Sequence, residues 1–296
     1  MTDTASPTDA PPLKFHTKFL YGLGSMAYGV KDLAFRVFLL YYYNFVVGAP
    51  AALVSAAIMV ALVIDAFSDP IVGQISDNLR TRWGRRHPLM YLSAIPASLS
   101  FFFLWLPPEG LEGTGLFLYL VILASAVRTF ITLYEIPSSA LAPELATDYD
   151  ERTTIAGYRF FFGYIGGIGL YVLSLAVLFP PTPEHPLGIT NPAGYLPFGI
   201  LGSGIMISTV LLSTLGTHHR IKYMRKLPAP QRRNPLQTLN LMRQTFSHRG
   251  FLAILGFGVL KYTGLGISSA LALYFGSLFW ALSSGELAIL AADAAL

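Results

Sequence analysis

The stretch Asp65-Ala-Phe-Ser-Asp-Pro-Ile-Val-Gly-Gln-Ile-Ser-Asp-Asn-Leu-Arg-Thr-Arg-Trp-Gly-Arg-Arg-His-Pro88 decides how the chain is read. It grows out of an apolar run, residues 51–64, that already covers about half a bilayer at ~1.5 Å per residue. Asp65 and Asp69 then fall four residues apart, on one face of a helix. Each such charge costs about 2.5–3.5 kcal/mol at the centre of a lipid-embedded helix, so an unpaired pair there would be selected against. The run ends in Asp77 and four arginines, Arg80, Arg82, Arg85 and Arg86, which the positive-inside rule assigns to the cytoplasm. One segment thus predicts a span, an orientation and a buried acidic site.

Composition agrees. Of the 296 residues, 53% are hydrophobic and only 12% charged, with a mean hydropathy of +0.54. A soluble domain carries about 25% charged residues, so the chain reads as a membrane protein. Cysteine is absent, which excludes disulfides, thiolate metal sites and cysteine nucleophiles. The isoelectric point near 9.2 reflects topology rather than nucleic-acid binding, because no aromatic interleaving or nucleic-acid module accompanies the basic residues. All six histidines (His16, His87, His185, His218, His219 and His248) are expected in tails or loops, which excludes a histidine proton relay within the membrane.

Residues 1–18 read as a disordered cytoplasmic tail with no cleavable signal peptide after it. Spans are predicted at 19–47, 51–76, 88–107, 115–140, 154–179, 194–216 and 250–282. An eighth begins near Leu287 and reaches only Leu296, too short to cross a bilayer. The domains are then the tail, a six-span bundle at 19–216, a basic cytoplasmic loop at 217–249, and the start of a second bundle at 250–296. The tail and the loops after spans two, four and six carry 15 of the 20 lysines and arginines, and the opposite loops carry none. That asymmetry predicts a cytoplasmic N-terminus. The long loop is read as a solvated connector that touches anionic lipid. Six spans, a long loop and further spans is the layout of transporters built from two halves.

Eight ionisable residues fall inside the first six spans: Lys31, Asp32, Arg36, Asp65, Asp69, Arg128, Glu135 and Arg159. At ~3 kcal/mol each they would cost roughly 24 kcal/mol if unpaired against lipid. Four are basic and four acidic, and they sit at helical spacing: Asp32 with Arg36; Arg128, Thr132 and Glu135; Asp65, Ser68 and Asp69. A purely structural set of ion pairs competes with this reading, but buried pairs are seldom favoured over apolar packing. A wet cavity lined by mutual pairs accounts for all eight. Asp65, Asp69, Ser68 and Thr132 supply only oxygen donors, which suit a hard cation; a proton shared between the two acids is the alternative. A two-metal hydrolase fails for want of a nucleophile, a base or a further ligand set, so the chain is not read as an enzyme. Gly22, Gly24 and Gly29, with Gly163, Gly166, Gly167 and Gly169, mark close helix contacts. Pro70 and Pro137 are placed to kink or open their helices beside the acids. Tyr41, Tyr42, Tyr43 and Trp105, near span ends, are read as membrane-interface anchors.

At these residues the chain resembles a major facilitator superfamily transporter. Gly73-x-x-x-Asp77 followed by Arg80, Gly84, Arg85 and Arg86 resembles that superfamily's signature loop. Lys31-Asp32, Asp65-Ala-x-x-Asp69-Pro-Ile, Arg82-Trp83-Gly84, Glu135-Ile-Pro with Leu141-x-Pro143, and Arg159-Phe-Phe are similar to the melibiose permease branch, the glycoside–pentoside–hexuronide:cation symporter family. The resemblance implies an all-α membrane protein: the N-terminal six-helix bundle, plus one span and a stub of the second bundle. It implies a cation site at Asp65, Ser68, Asp69 and Thr132, and sugar binding by Asp32 and Glu135 with Lys31 and Arg159 around the same cavity. Arg36 and Arg128 are the cavity's remaining ion-pair partners. Glu135 stands where the melibiose permease has aspartate, Ser139 where it has tryptophan, and Leu62 where it has arginine.

The implied function is cation-coupled symport, by alternating access, of a glycoside or related sugar across the plasma (inner) membrane. No cofactor is implied, and no metal beyond a coupling Na+, with H+ as the alternative. The expected partners are a small-molecule sugar, the lipid bilayer and a missing C-terminal bundle, with no nucleic acid. Two rivals stand beside this: a symporter of another polar or amphipathic solute such as a lysolipid, and a non-transporting seven-span receptor or scaffold. The segment 80–86 is expected to act as a conformational latch. Asp77 would then lie near a helix N-terminus or pair with an arginine.

Overall fold

A computed structural model describes residues 11–146, 148–223 and 247–293. Parts of the tail, most of the basic loop and the last three residues lie outside the described residues. Every regular element described is a helix, as expected of a backbone that must satisfy its own hydrogen bonds in lipid. Eight helical segments follow one another: α1 (residues 15–46), α2 (Ala51–Asn78), α3 (His87–Leu104), α4 (Gly113–Leu145), α5 (Tyr149–Leu178), α6 (Pro192–Tyr223), α7 (Arg249–Phe279) and α8 (Ser284–Asp293). Among the described residues, α2 to α7 are long and apolar enough to cross a membrane. α1 is of similar length but carries Lys18, Lys31, Asp32 and Arg36.

The helix starts and stops follow local chemistry. α2 begins after Pro50, and α5 is capped by Asp148, whose carboxylate accepts from the amides of Asp150 and Glu151 at 3.0 and 3.1 Å. Pro70 and Pro137 do not break their helices; α2 and α4 run through them. The helices open elsewhere, in π turns at Ala34–Phe38 and Tyr42–Val46 of α1, Ile165–Gly169 and Ser174–Leu178 of α5, and Phe275–Phe279 of α7.

Packing builds one bundle around α1, α2, α4 and α6. α3 lies against α4 and α6, α2 against α4, and α1 against α5 and α6. The α1–α5 contact is a backbone contact. A Cβ on Gly29 would collide with the carbonyl of Gly163, and one on Gly166 with the backbone of Met26. Lipid tails are as apolar as leucine, so such helices associate through close van der Waals contact, which small residues permit. Gly169, by contrast, faces only Ile165 of its own helix.

Two expectations change. Tyr41, Tyr43 and Trp105 are at most 1% exposed and Tyr42 is buried as well, so they are not interface anchors. Tyr42, Tyr43 and Trp105 form an aromatic knot with Phe38, Phe101, Phe179, Tyr195 and Phe198, while Tyr41 packs on Phe45 and Tyr274. The hydroxyls of Tyr42 and Tyr43 donate to the carbonyls of Trp105 and Leu104, at 3.0 and 2.7 Å. These carbonyls end α3 and have no intrahelical donor, which is why the tyrosines turn inward. The second change concerns histidine. His87 opens α3 and is fully buried, with Nε2 3.1 Å from Thr217 Oγ1 and its ring edge-on to that of His218 in α6. α3 begins at His87 and α6 runs on to Tyr223, beyond the bounds that hydropathy alone indicates, and they carry these polar residues with them.

α7 packs mainly on the π turn of α1 at Ala34–Phe38, joined by Tyr41 Oη to Ser277 Oγ at 3.1 Å and Tyr274 Oη to Asn44 Oδ1 at 3.1 Å. Its remaining surface is open; before Leu273 no residue of α7 is buried.

The α1–α5 contact predicts a sharp contrast between two glycines. Gly166→Val should destabilise the chain by about 1–3 kcal/mol, as overpacking does. Gly204→Ala, at a site with no neighbour within 4 Å, should leave stability essentially unchanged. Thermal unfolding in detergent would compare them, and equal melting temperatures would contradict the contact.

Candidate functional site

α2 and α4 face each other along the acidic stretch. Asp65, buried on α2, accepts hydrogen bonds at Oδ2 from both Nε (2.9 Å) and Nη2 of Arg128 on α4. One turn along α4, Thr132 Oγ1 lies 3.0 Å from Asp69 Oδ1 and 3.4 Å from Asp65 Oδ1. A hydroxyl has one proton to give, and the shorter contact to Asp69 takes it. Ser68, expected among the cation ligands, instead donates to the backbone carbonyl of Asp65 at 3.1 Å. The geometry therefore brings Asp65, Asp69 and Thr132 together and turns the Ser68 hydroxyl toward its own helix.

The other ionisable residues divide into paired and unpaired. Asp32 and Arg36 form an ion pair along α1, Nε to Oδ2 at 3.1 Å, across the start of the π turn. Lys31 is buried, with its Nζ 4.5 Å from the centre of the Tyr28 ring. Among the described residues it makes no hydrogen bond or ion pair, and neither does half-buried Glu135. Arg159 on α5 meets hydroxyls rather than acids: Nη1 donates to Tyr21 Oη at 3.0 Å and Nη2 to Ser139 Oγ at 2.8 Å. Tyr21 in turn donates to the carbonyl of Ser138 at 2.7 Å. Ser139 and Tyr21 are thus residues of the site that sequence reasoning did not assign. Ser139 was noted only for departing from tryptophan.

Asp32 is thus neutralised by Arg36 and Asp65 by Arg128, and among the described residues Lys31, Arg159, Asp69 and Glu135 have no ionic partner within salt-bridge distance. Such an arrangement offers oxygen acceptors and cationic donors side by side.

The far end of α2 carries a second polar cluster. Gly84 adopts φ +74°, a left-handed conformation that closes the turn from Thr81, whose Oγ1 donates to Gly84 O at 2.8 Å. The turn aims Arg86 inward. Its Nη1 reaches Asp77 Oδ1 at 2.7 Å and Ser76 Oγ at 2.8 Å, while Nε reaches Glu144 Oε1 at 3.2 Å. Arg85 reaches the same Glu144 oxygen. Arg86 is thus the buried hub that ties α2 to the end of α4, with Asp77 paired to an arginine. Arg80 is exposed, and Arg82 lies over the Trp83 ring. Gly73 has room for a methyl group, its nearest neighbour being Ile136 at 3.8 Å. Glu144 was missed; the signal lay in the acid of Ala142-Pro143-Glu144-Leu145, just after the proline motif.

With this geometry established, the sequence can be compared with known proteins. The profile of the family described as MFS/sugar transport protein matches residues 20–293. The chain belongs to that family. An uncharacterized symporter of Synechocystis sp. is 35% identical over 232 residues, which cover 76% of this chain and 41% of the relative. The isoprimeverose transporter of Lactiplantibacillus pentosus is 26% identical over 181 residues, 59% of this chain and 38% of the relative. The mouse sodium-dependent lysophosphatidylcholine symporter 1 is 30% identical over 157 residues, 52% of this chain and 29% of the relative. The chain therefore spans less than half the length of these relatives. The resemblance to glycoside–pentoside–hexuronide:cation symporters holds, and the family is one of transporters rather than enzymes. The helices are those of its N-terminal bundle, with α7 and α8 opening the next.

The Arg86 hub predicts that Glu144→Ala lowers stability by about 1–3 kcal/mol, because it leaves two guanidinium groups short of an acceptor. Gly73→Ala should change melting by no more than a small fraction of that. A shared, unchanged melting temperature for both variants would contradict the hub.

Proposed function

We propose that this chain forms the cation- and solute-binding half of a symporter for a glycoside or related sugar, coupled to Na+ or H+. The observation that carries the reading is the meeting of Asp69 and Thr132 across α2 and α4, on the helix face that presents Glu135. Thr132 touches Asp69 and lies one turn from Glu135, so a cation at the aspartates and a solute at Glu135 act on the same turn of α4. A cation there offsets negative charge beside Glu135 and orders the helix face that the solute uses. By linkage the solute then strengthens cation binding to the same degree. Asp32 and Glu135 accept sugar hydroxyls, and Lys31 and Arg159 supply donors.

Alternating access in this reading is motion of the bundle α1–α6 against a second bundle that α7 and α8 begin, about the latch at Asp77, Arg85 and Arg86. The protein sits in the plasma (inner) membrane with its N-terminus in the cytoplasm, as the lysine and arginine asymmetry favours. An amphipathic solute is the second reading, supported by the relative named as a lysophosphatidylcholine symporter and by an apolar groove on α7 lined by Leu271, Tyr274, Phe275, Leu278 and Phe279.

The test is uptake into cells or proteoliposomes by the longer protein that carries this half. Asp69→Asn should abolish ion-driven accumulation while substrate exchange persists. Glu135→Gln should weaken solute binding by about tenfold or more, the loss of a charged hydrogen-bond acceptor. Undiminished uphill uptake in Asp69→Asn would refute the coupling assignment. Uptake of a lysolipid but of no glycoside would replace the first reading with the second.

A further inference from the structure

We propose that Arg128 is the ion-specificity residue of the aspartate site: its guanidinium occupies the place of an alkali cation and closes the site to Na+. The inference rests on the cation-site reading of Asp65, Asp69 and Thr132, and it goes further by assigning a role to a residue outside that set. A hard cation needs several oxygen ligands at once. Here Asp65 Oδ2 is engaged by two nitrogens of Arg128, the Thr132 hydroxyl is turned to Asp69, and the Ser68 hydroxyl is turned to its own backbone. Among the described residues Asp69 Oδ2 has no donor, and Asp65 Oδ1 has only the 3.4 Å approach of Thr132.

Arg128 is also held in place. Its guanidinium lies over the Phe35 ring of α1, 5.7 Å from the centre, as well as against Asp65 of α2. Its guanidinium places a positive charge directly beside Asp65. An arriving Na+ meets a carboxylate oxygen already taken and a like charge that offsets the attraction of Asp65, which leaves Asp69 as its one uncompensated acid. The position of Arg128 is set by register: it stands one turn before Thr132 on the helix face that supplies the site's hydroxyl.

The test is ion binding by this chain itself, purified in detergent, read as thermal unfolding in NaCl against choline chloride at equal ionic strength. The wild type is expected to melt at the same temperature in both salts. Arg128→Gln should gain a saturable, Na+-specific stabilisation, with an apparent affinity about tenfold or more above any wild-type response. Arg128→Met, which fills the space against Phe35 without charge, should show the same gain and guards against a folding failure of the glutamine variant. Arg128→Lys should remain insensitive, and adding Asp65→Asn to Arg128→Gln should erase the gain. A merely structural ion pair would lower stability equally in both salts. Na+ stabilisation of the wild type equal to that of the variants overturns the proposal while upholding the cation site. Absence of any Na+ response in the uncharged variants overturns it too, and leaves the symporter reading to its own uptake test.

Discussion

A carboxylate carried into a lipid-thick bundle must be matched from within the protein, and Asp65 is matched by Arg128. Removing one member of such a buried pair typically costs about 3–5 kcal/mol, since the other is left charged and unsolvated. The pair therefore sets how α2 and α4 face each other. Once it is formed, Thr132 comes to Asp69 one turn on, and Glu135 is presented at the turn after that. The same contact that makes the charges tolerable also arranges the polar groups the site uses.

The bundle holds together by two different means. On the α1–α5 side the backbones touch through Gly29, Gly163 and Gly166, and the gain is dispersion over a close contact rather than release of water. At the ends of α1 and α3, tyrosine hydroxyls satisfy the carbonyls that helix termini leave over, and their rings fill the space between helices. Neither device depends on charge. The ionisable residues are left out of both devices, and among the described residues Lys31 and Glu135 form no ion pair.

α2 is clamped to α4 at two points, Asp65 in its middle and Ser76–Asp77 near its end through Arg86 and Glu144. α7 is held far more loosely, through the first helix and a few hydroxyl contacts. The helices α1–α6 are thus joined far more closely to one another than to α7.

The sequence by itself determined the class of protein and the order of its helices. Hydropathy marked the apolar segments and the charges within them, and motif spacing pointed to the symporter family. The tertiary structure decided which charges pair. Spacing along one helix could not show that Arg128 would choose Asp65 over Glu135 on its own helix, because that choice depends on how α2 and α4 meet. Nor could it show that Ser68 turns to its backbone, or that Glu144 completes the Arg86 cluster. The tyrosines of α1 were misread for the same reason. A residue near a span end faces lipid or a neighbouring helix according to the bundle's rotation, and one chain's hydropathy carries no record of that rotation.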